Sequence, residues 1–315
     1  MEKMHRIRRI HCFAILLCCL VQTAHSQAAT PGPASHQIII DTDIGDDIDD
    51  AFALALALQS REINLLGVTT ATGDTQTRAQ LALRMLRESG HGSIPVAVGR
   101  ATRPPTTLTQ EDFAKDIDLR GVRFPSAVDF TLAQIRKHPH QIELVAIGPL
   151  TNLADMIDKD PAAFHLLKRI VIMGGDIPTE TEKASPEWNI KNDIAAAQKV
   201  FAAGVPMTVF PLNSTRLRLD PERRKTIFRQ ASRLTYMLSA LYYQWGQETP
   251  TLFDAMTIAS LLQPDVCPTI PMRVSVDEKG STVPSPGTPN VDVCLTANED
   301  QFFQLYLRRI LAKHP

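Results

Sequence analysis

Excess positive charge is missing. The 33 lysines and arginines stand against 34 aspartates and glutamates, for a net formal charge of −1, and no basic face stands out. A phosphate backbone is therefore a poor partner, and nucleic acid is excluded on charge. Long apolar runs are also missing. The one candidate, "CFAILLCCLV" (12–21), is too short to span a bilayer comfortably. It follows a basic start (Lys3, Arg6, Arg8, Arg9) and precedes "AHS" (24–26), the pattern of a cleaved signal peptide. We expect a leader over 1–26, a secreted or periplasmic protein, and no membrane association after processing. Cysteine is scarce: three of the five lie in the leader, leaving Cys267 and Cys294. That pair is open either to a disulfide in an oxidising compartment or to burial as two thiols. The nine histidines have no metal-like spacing, and repeats, low-complexity tracts and an internal linker are all absent.

What remains after the leader is a lead-in rich in Pro, Ala and Ser (27–35), read as disordered, and one domain over 36–315. About 280 residues are enough for one large core. Short apolar runs alternate with helical patterns. The strand candidates are "QIIID" (37–41), "NLLGVTTA" (64–71), "IPVAVG" (94–99), "IELVAIG" (142–148), "RIVIMGG" (169–175) and "PMTVF" (206–210), with weaker ones at "MRVSV" and "VDVCL". Helical patterns cover 49–60, 75–89, 127–138, 151–159 and 193–203, and the C-terminal third is more helical (219–247, 254–262, 299–313). Continuous rather than alternating apolar runs indicate strands covered on both faces. The expected fold is thus α/β: a single domain with a mostly parallel, Rossmann-like open sheet flanked by helices, plus a more helical C-terminal part. Ligands of such sheets gather at the carboxyl ends of the strands.

At the end of the first run stands "DTDIGDDIDDAFAL", with six aspartates (41, 43, 46, 47, 49, 50) in ten positions. An aspartate at a helix start is often only a cap, but one cap needs one carboxylate. A hard divalent cation would resolve the repulsion, since calcium accepts several carboxylate oxygens. An EF-hand is excluded because Asp46 and Phe52 occupy the positions that need Gly and Glu. Zinc is disfavoured by the lack of His and Cys in the cluster.

The stretch resembles the N-terminal signature of the inosine–uridine-preferring nucleoside hydrolases, D-x-D-x-G-x-D-D-A, with two extra residues between Gly45 and the closing Asp–Asp–Ala. Further blocks follow in family order: "LLGVTTATGD" (65–74), "VAIGPLTNLA" (145–154), "VIMGG" (171–175), "EWN" with Asp193 (187–193) and "FDA" (253–255). Together they cover about residues 37 to 265.

The resemblance implies calcium-dependent hydrolysis of the N-glycosidic bond of ribonucleosides, with water held by the ion attacking C1′ through an oxocarbenium-like transition state. Free base and ribose are the products. It implies Asp43, Asp50, the Ile147 carbonyl and Asp254 as calcium ligands, and Asp43 also as general base. Asp49, Asp74, Met173, Glu187, Trp188, Asn189 and Phe253 fall on the substrate side, while Asp41 orients loop amides behind the ligands. The two-residue insertion leaves Asp46 and Asp47 as alternatives to Asp49 and Asp50. Two departures stand out. Asp74 replaces a frequent Asn, and Phe253 replaces a His suited to protonating the leaving base. Tyr242 or Tyr243 is the nearest substitute acid. The partner is a small-molecule nucleoside, and a homo-oligomer is in keeping with the family. Two rival readings are a non-catalytic secreted protein that binds ribosyl groups or calcium, and a haloacid-dehalogenase-type phosphatase using Asp41 and Asp43. The latter has no place for "GPLTN" and "EWN".

Overall fold

Ile38, Ile39 and Ile40 are all fully buried. Ile38 and Ile40 belong to one apolar core and Ile39 to another, which is why an unbroken isoleucine run is a strand here. The computed structural model describes residues 36–102, 108–180 and 183–312. The leader over 1–26 and the lead-in over 27–35 lie outside the described residues.

From the start of the domain the elements are β1 (His36–Thr42), α1 (Asp49–Leu58), β2 (Ile63–Thr70), α2 (Thr75–Glu88), β3 (Val96–Val98), α3 (Glu111–Ala114) and α4 (Ala127–Lys137). The middle contributes β4 (Ile142–Ala146), α5 (Thr151–Lys159), α6 (Pro161–Phe164), β5 (Arg169–Met173), α7 (Trp188–Lys191), α8 (Ile194–Phe201), β6 (Met207–Phe210) and α9 (Leu212–Thr215). The last third holds α10 (Pro221–Arg229), α11 (Arg233–Trp245), α12 (Ala255–Leu262), β7 (Ile270–Met272), β8 (Val274–Val276), β9 (Thr282–Pro284), β10 (Val291–Val293) and α13 (Glu299–Ile310).

Eight strands form one sheet in the order β3-β2-β1-β4-β5-β6-β10-β7. All its pairings are parallel except the edge pair β10–β7. The expected single-domain α/β architecture is therefore present. β1 lies between β2 and β4, so its carboxyl end opens at the centre of the rim, where ligands of parallel sheets bind. Among the described residues no helix is long and apolar enough to cross a membrane.

The C-terminal third departs from expectation in two ways. The helical stretch 219–247 is two helices, because Ser232 opens a capping box with Thr235 that starts α11 afresh. The expected strands at "MRVSV" and "VDVCL" are present as β8 and β10, but β9 and nearly all of β7 were not expected, and β7 joins β10 in extending the main sheet. Cys267 and Cys294 are joined as a disulfide, which ties the segment after α12 to the strand β10.

Candidate active site

Asp43 is the first residue to leave β1. It is buried, and the approach of its neighbour decides what can sit beside it. A Cβ on Gly148 would lie 2.9 Å from the Asp43 amide and 2.9 Å from its Oδ1, so the residue that follows Ile147 has to be glycine. The turn after Asp43 passes through Gly45 at φ +117°, a conformation that side chains rarely adopt. α1 then starts with Asp49 and Asp50, both buried. Asp254, at the start of α12, completes a trio in which one carboxylate oxygen from each of Asp49, Asp50 and Asp254 lies within 4.8 Å of the others.

These groups share a cavity of about 460 Å³ lined also by Asp43, Asp46, Asp47, Ile147, Met173, Glu187, Trp188, Asn189 and Phe253. The rim of the sheet therefore brings together every expected site residue but one. Asp74 is the exception. Its carboxylate caps α2, accepting from the Thr77 amide at 3.1 Å and the Thr77 hydroxyl at 2.6 Å, and it does not line the cavity. The tyrosines proposed as substitute acids are absent from the lining too: Tyr242 donates to the Glu248 carbonyl at 2.9 Å and Tyr243 is exposed.

Burial dominates the electrostatics. It pushes Asp43 above the ordinary carboxylate range, against the opposing Arg78 charge and a hydrogen bond from Trp188. Asp49 and Asp50 are pushed up well above it by burial and then by neighbouring carboxylates, Asp47 for the first and Asp43 for the second. Asp254 is pushed up by burial and then by Asp49, Asp50 and Asp43. Carboxylate oxygens of Asp49 and Asp254 lie within 4.8 Å of one another, and two ionised carboxylates this close repel, so the pair needs its charge relieved. A cation in this place would meet that need.

Around the trio the supporting bonds come from side chains and from the backbone. The Thr42 hydroxyl donates to Asp50. Asp41 accepts from the Thr69 hydroxyl and from Asn152 Nδ2, the latter at 2.7 Å, so it braces β1 against β2 and α5 and does not take the expected role of orienting loop amides. Glu187 accepts from the amides of Gly175, Asn189 and Ile190 at 2.9–3.2 Å, and burial pushes its carboxyl up to about 7. Asn189 Nδ2 reaches the carbonyls of Met173 (3.1 Å) and Ile147 (3.3 Å), fixing the wall from which both face the cavity.

Of the two carboxylate pairs left open by the insertion, Asp49 and Asp50 lie in the trio, while Asp46 and Asp47 line the cavity outside it. Asp43 is outside the trio as well, although its charge acts on all three members. Sequence reasoning did not pick out Thr109, Leu212 or Gln247, which also line the cavity, as does Trp245, an aromatic open on sequence to packing or to stacking on a nucleobase. Trp245 hydrogen-bonds Asp47. Its signal was present only as an aromatic residue nine positions before Asp254.

Comparison with known proteins places this arrangement. The family model described as inosine-uridine preferring nucleoside hydrolase matches residues 38–304. A pyrimidine-specific ribonucleoside hydrolase of Klebsiella pneumoniae is 30% identical over 306 residues, covering 87% of this chain and 97% of the relative. Among solved structures, a plant nucleoside hydrolase superposes with a TM-score of 0.78 at 25% identity, over 89% of this chain and 100% of the other. A purine-preferring ribonucleoside hydrolase from Gardnerella vaginalis shares the fold with a TM-score of 0.76 at 24% identity, over 87% of this chain and 98% of the other. The phosphatase alternative is set aside by these matches. The chain belongs to the inosine-uridine preferring nucleoside hydrolase family and is a hydrolase acting on N-glycosyl compounds.

Proposed function

We propose that this enzyme hydrolyses the N-glycosidic bond of ribonucleosides with calcium as its cofactor, releasing the free base and ribose. One observation carries the reading: three buried carboxylates, Asp49, Asp50 and Asp254, converge within 4.8 Å beneath a cavity of nucleoside size. The donor set fits a hard dication, because only oxygen ligands are on offer and burial leaves their charge uncompensated. Asp50, Asp254, Asp43 and the Ile147 carbonyl are the residues that would hold it. When bound, the ion neutralises the crowded charge and acidifies water at the cavity floor.

The chain's own residues do the rest. Asp43 takes the proton of the water that attacks C1′, and its burial makes it a stronger base than an exposed aspartate. The hydrogen bond from Trp188 holds that carboxylate in place. The new bond is O–C1′; the breaking bond is C1′–N, whose electron pair leaves with the base. Positive charge that develops on the ribosyl ring is stabilised by the acidic floor. Asp49, Glu187 and Asn189 face the sugar hydroxyls. Phe253 packs at the wall and has no proton to give, so the base departs without help from that position.

The test is a panel of uridine, cytidine, inosine, adenosine and p-nitrophenyl riboside, scored for free ribose with calcium and after chelation. Ribose is expected from at least one natural nucleoside with calcium only, and p-nitrophenyl riboside should be cleaved at least as readily as inosine. No ribose from any substrate, or full activity in metal-free protein, would refute the reading.

A further inference from the structure

We propose that Arg78 and Gln110 are positioning residues that clasp the backbone of the acidic loop, turning its carbonyls away from the cavity so that its carboxylates face in. The inference rests on the proposed function for its two readouts, calcium affinity and turnover. The loop between Asp43 and α1 is two residues longer than the family motif, and its five successive carbonyls from 43 to 47 all have a donor from outside the loop.

Arg78, fully buried on α2, donates through one guanidinium nitrogen to the carbonyls of Asp43 and Ile44, the latter at 3.0 Å, while its Nε reaches the Thr72 carbonyl at 2.9 Å. Residues 109 and 110 hold the other half. The Gln110 amide donates to the Gly45 carbonyl at 3.0 Å. Thr109 Oγ1 donates to the Asp46 carbonyl at 2.6 Å, and Gln110 Nε2 to those of Asp46 and Asp47 at 3.3 and 2.8 Å.

The physical need is plain. A carbonyl oxygen turned into this cavity would add negative potential beside carboxylates already crowded within 4.8 Å of one another. Donors from behind the loop remove that option and fix where the side chains emerge. Gln110 illustrates the commitment: its side-chain nitrogen serves two carbonyls, whereas its buried Oε1 has no hydrogen-bond partner. A buried unpaired acceptor is unfavourable, and the residue tolerates it in order to donate. Arg78 adds a charge that counters the burial-driven rise at Asp43, Asp46 and Asp50.

The test uses the full chain with Gln110→Met, which removes the side-chain donors at nearly constant volume, and Arg78→Lys, which keeps the charge but loses the fork. Calcium affinity is measured by calorimetric titration of the metal-stripped protein, alongside kcat, KM and melting temperature. We expect Gln110→Met to remain folded, with calcium Kd raised and kcat lowered about tenfold each; Arg78→Lys should do the same or more. A merely structural role would lower the active fraction without moving Kd. Folded Gln110→Met with the parent's calcium affinity and kcat overturns the proposal, whatever happens to Arg78→Lys. If the parent binds calcium but cleaves no nucleoside, the function reading fails while the calcium comparison still judges the clasp.

Discussion

The two ends of the central sheet handle buried acid in opposite ways. At the amino end, Glu143 on β4 has a fully buried side chain and is met by two cations, Lys168 Nζ at 2.6 Å and Arg169 at 2.8 Å, and by His36 Nδ1 at 2.9 Å. Burial works to raise its pKa, but these partners outweigh it and bring it down to about 2. At the carboxyl end, Asp43, Asp49, Asp50 and Asp254 are equally buried and are all pushed upward. The same fold that supplies two cations and a histidine to one carboxylate leaves four others short of positive charge. Burial alone therefore does not mark a functional acid; burial without compensation does. The first arrangement secures the β1–β4–β5 edge, and the second leaves a place for an ion from outside.

Three substitutions or conditions break or sharpen this contrast. The largest effect is expected at the uncompensated end. Asp43→Ala should lower kcat by about a thousandfold or more while the metal-free protein melts no lower than the parent, because a repelling carboxylate has gone. Turnover like the parent's would remove Asp43 from its role.

At the compensated end the outcome should invert. Glu143→Gln is expected to cost about 2 kcal/mol of stability, discounted because Lys168 and Arg169 are partly exposed, with kcat unchanged. Denaturant unfolding and a rate measurement on the same preparation decide it; lost activity at retained stability would contradict the division of labour.

The smallest effect is in the pH dependence of melting. Burial holds Asp41 and Glu187 up at about 7, from ordinary values of 3.8 and 4.5. Between about pH 4 and 7 the folded chain then keeps protons that the unfolded chain has released, so metal-free stability falls as pH rises through that window. Glu143 acts in the other direction, contributing stability above about 4.5 that is lost as pH falls toward 2. Melting curves of chelated protein should show both slopes, and Glu143→Gln should remove the acid one. A melting temperature that rises between pH 4 and 7 after chelation would contradict the first slope.

Much of the fold was legible because its strands are buried on both faces, and unbroken apolar runs such as Ile38–Ile39–Ile40 and Ile170–Val171–Ile172 carry that signal. β9 was missed since "TVP" is three residues long and ends in proline. The break at residues 230–232 was missed because it depends on a capping box formed by ordinary Ser and Thr. In the site, the residues at strand ends were readable, as topology alone sends them to one rim. Asp74 was not, because the local cap with Thr77 satisfies its carboxylate and keeps it on α2. Trp245 and Gln247 reach the cavity from the end of α11 and the turn after it, and no local pattern states which way that turn points. The disulfide was undecidable for a similar reason: only the folded chain sets the Cys267 and Cys294 Cα atoms 5.7 Å apart.

The desolvated aspartates, on this reading, are assembled to receive a hard dication. The most direct measurement is a crystal structure of the protein grown with calcium, read by anomalous scattering. An ion bound by Asp50, Asp254, Asp43 and the Ile147 carbonyl is the expected result. No ion at that position at saturating calcium would contradict the reading.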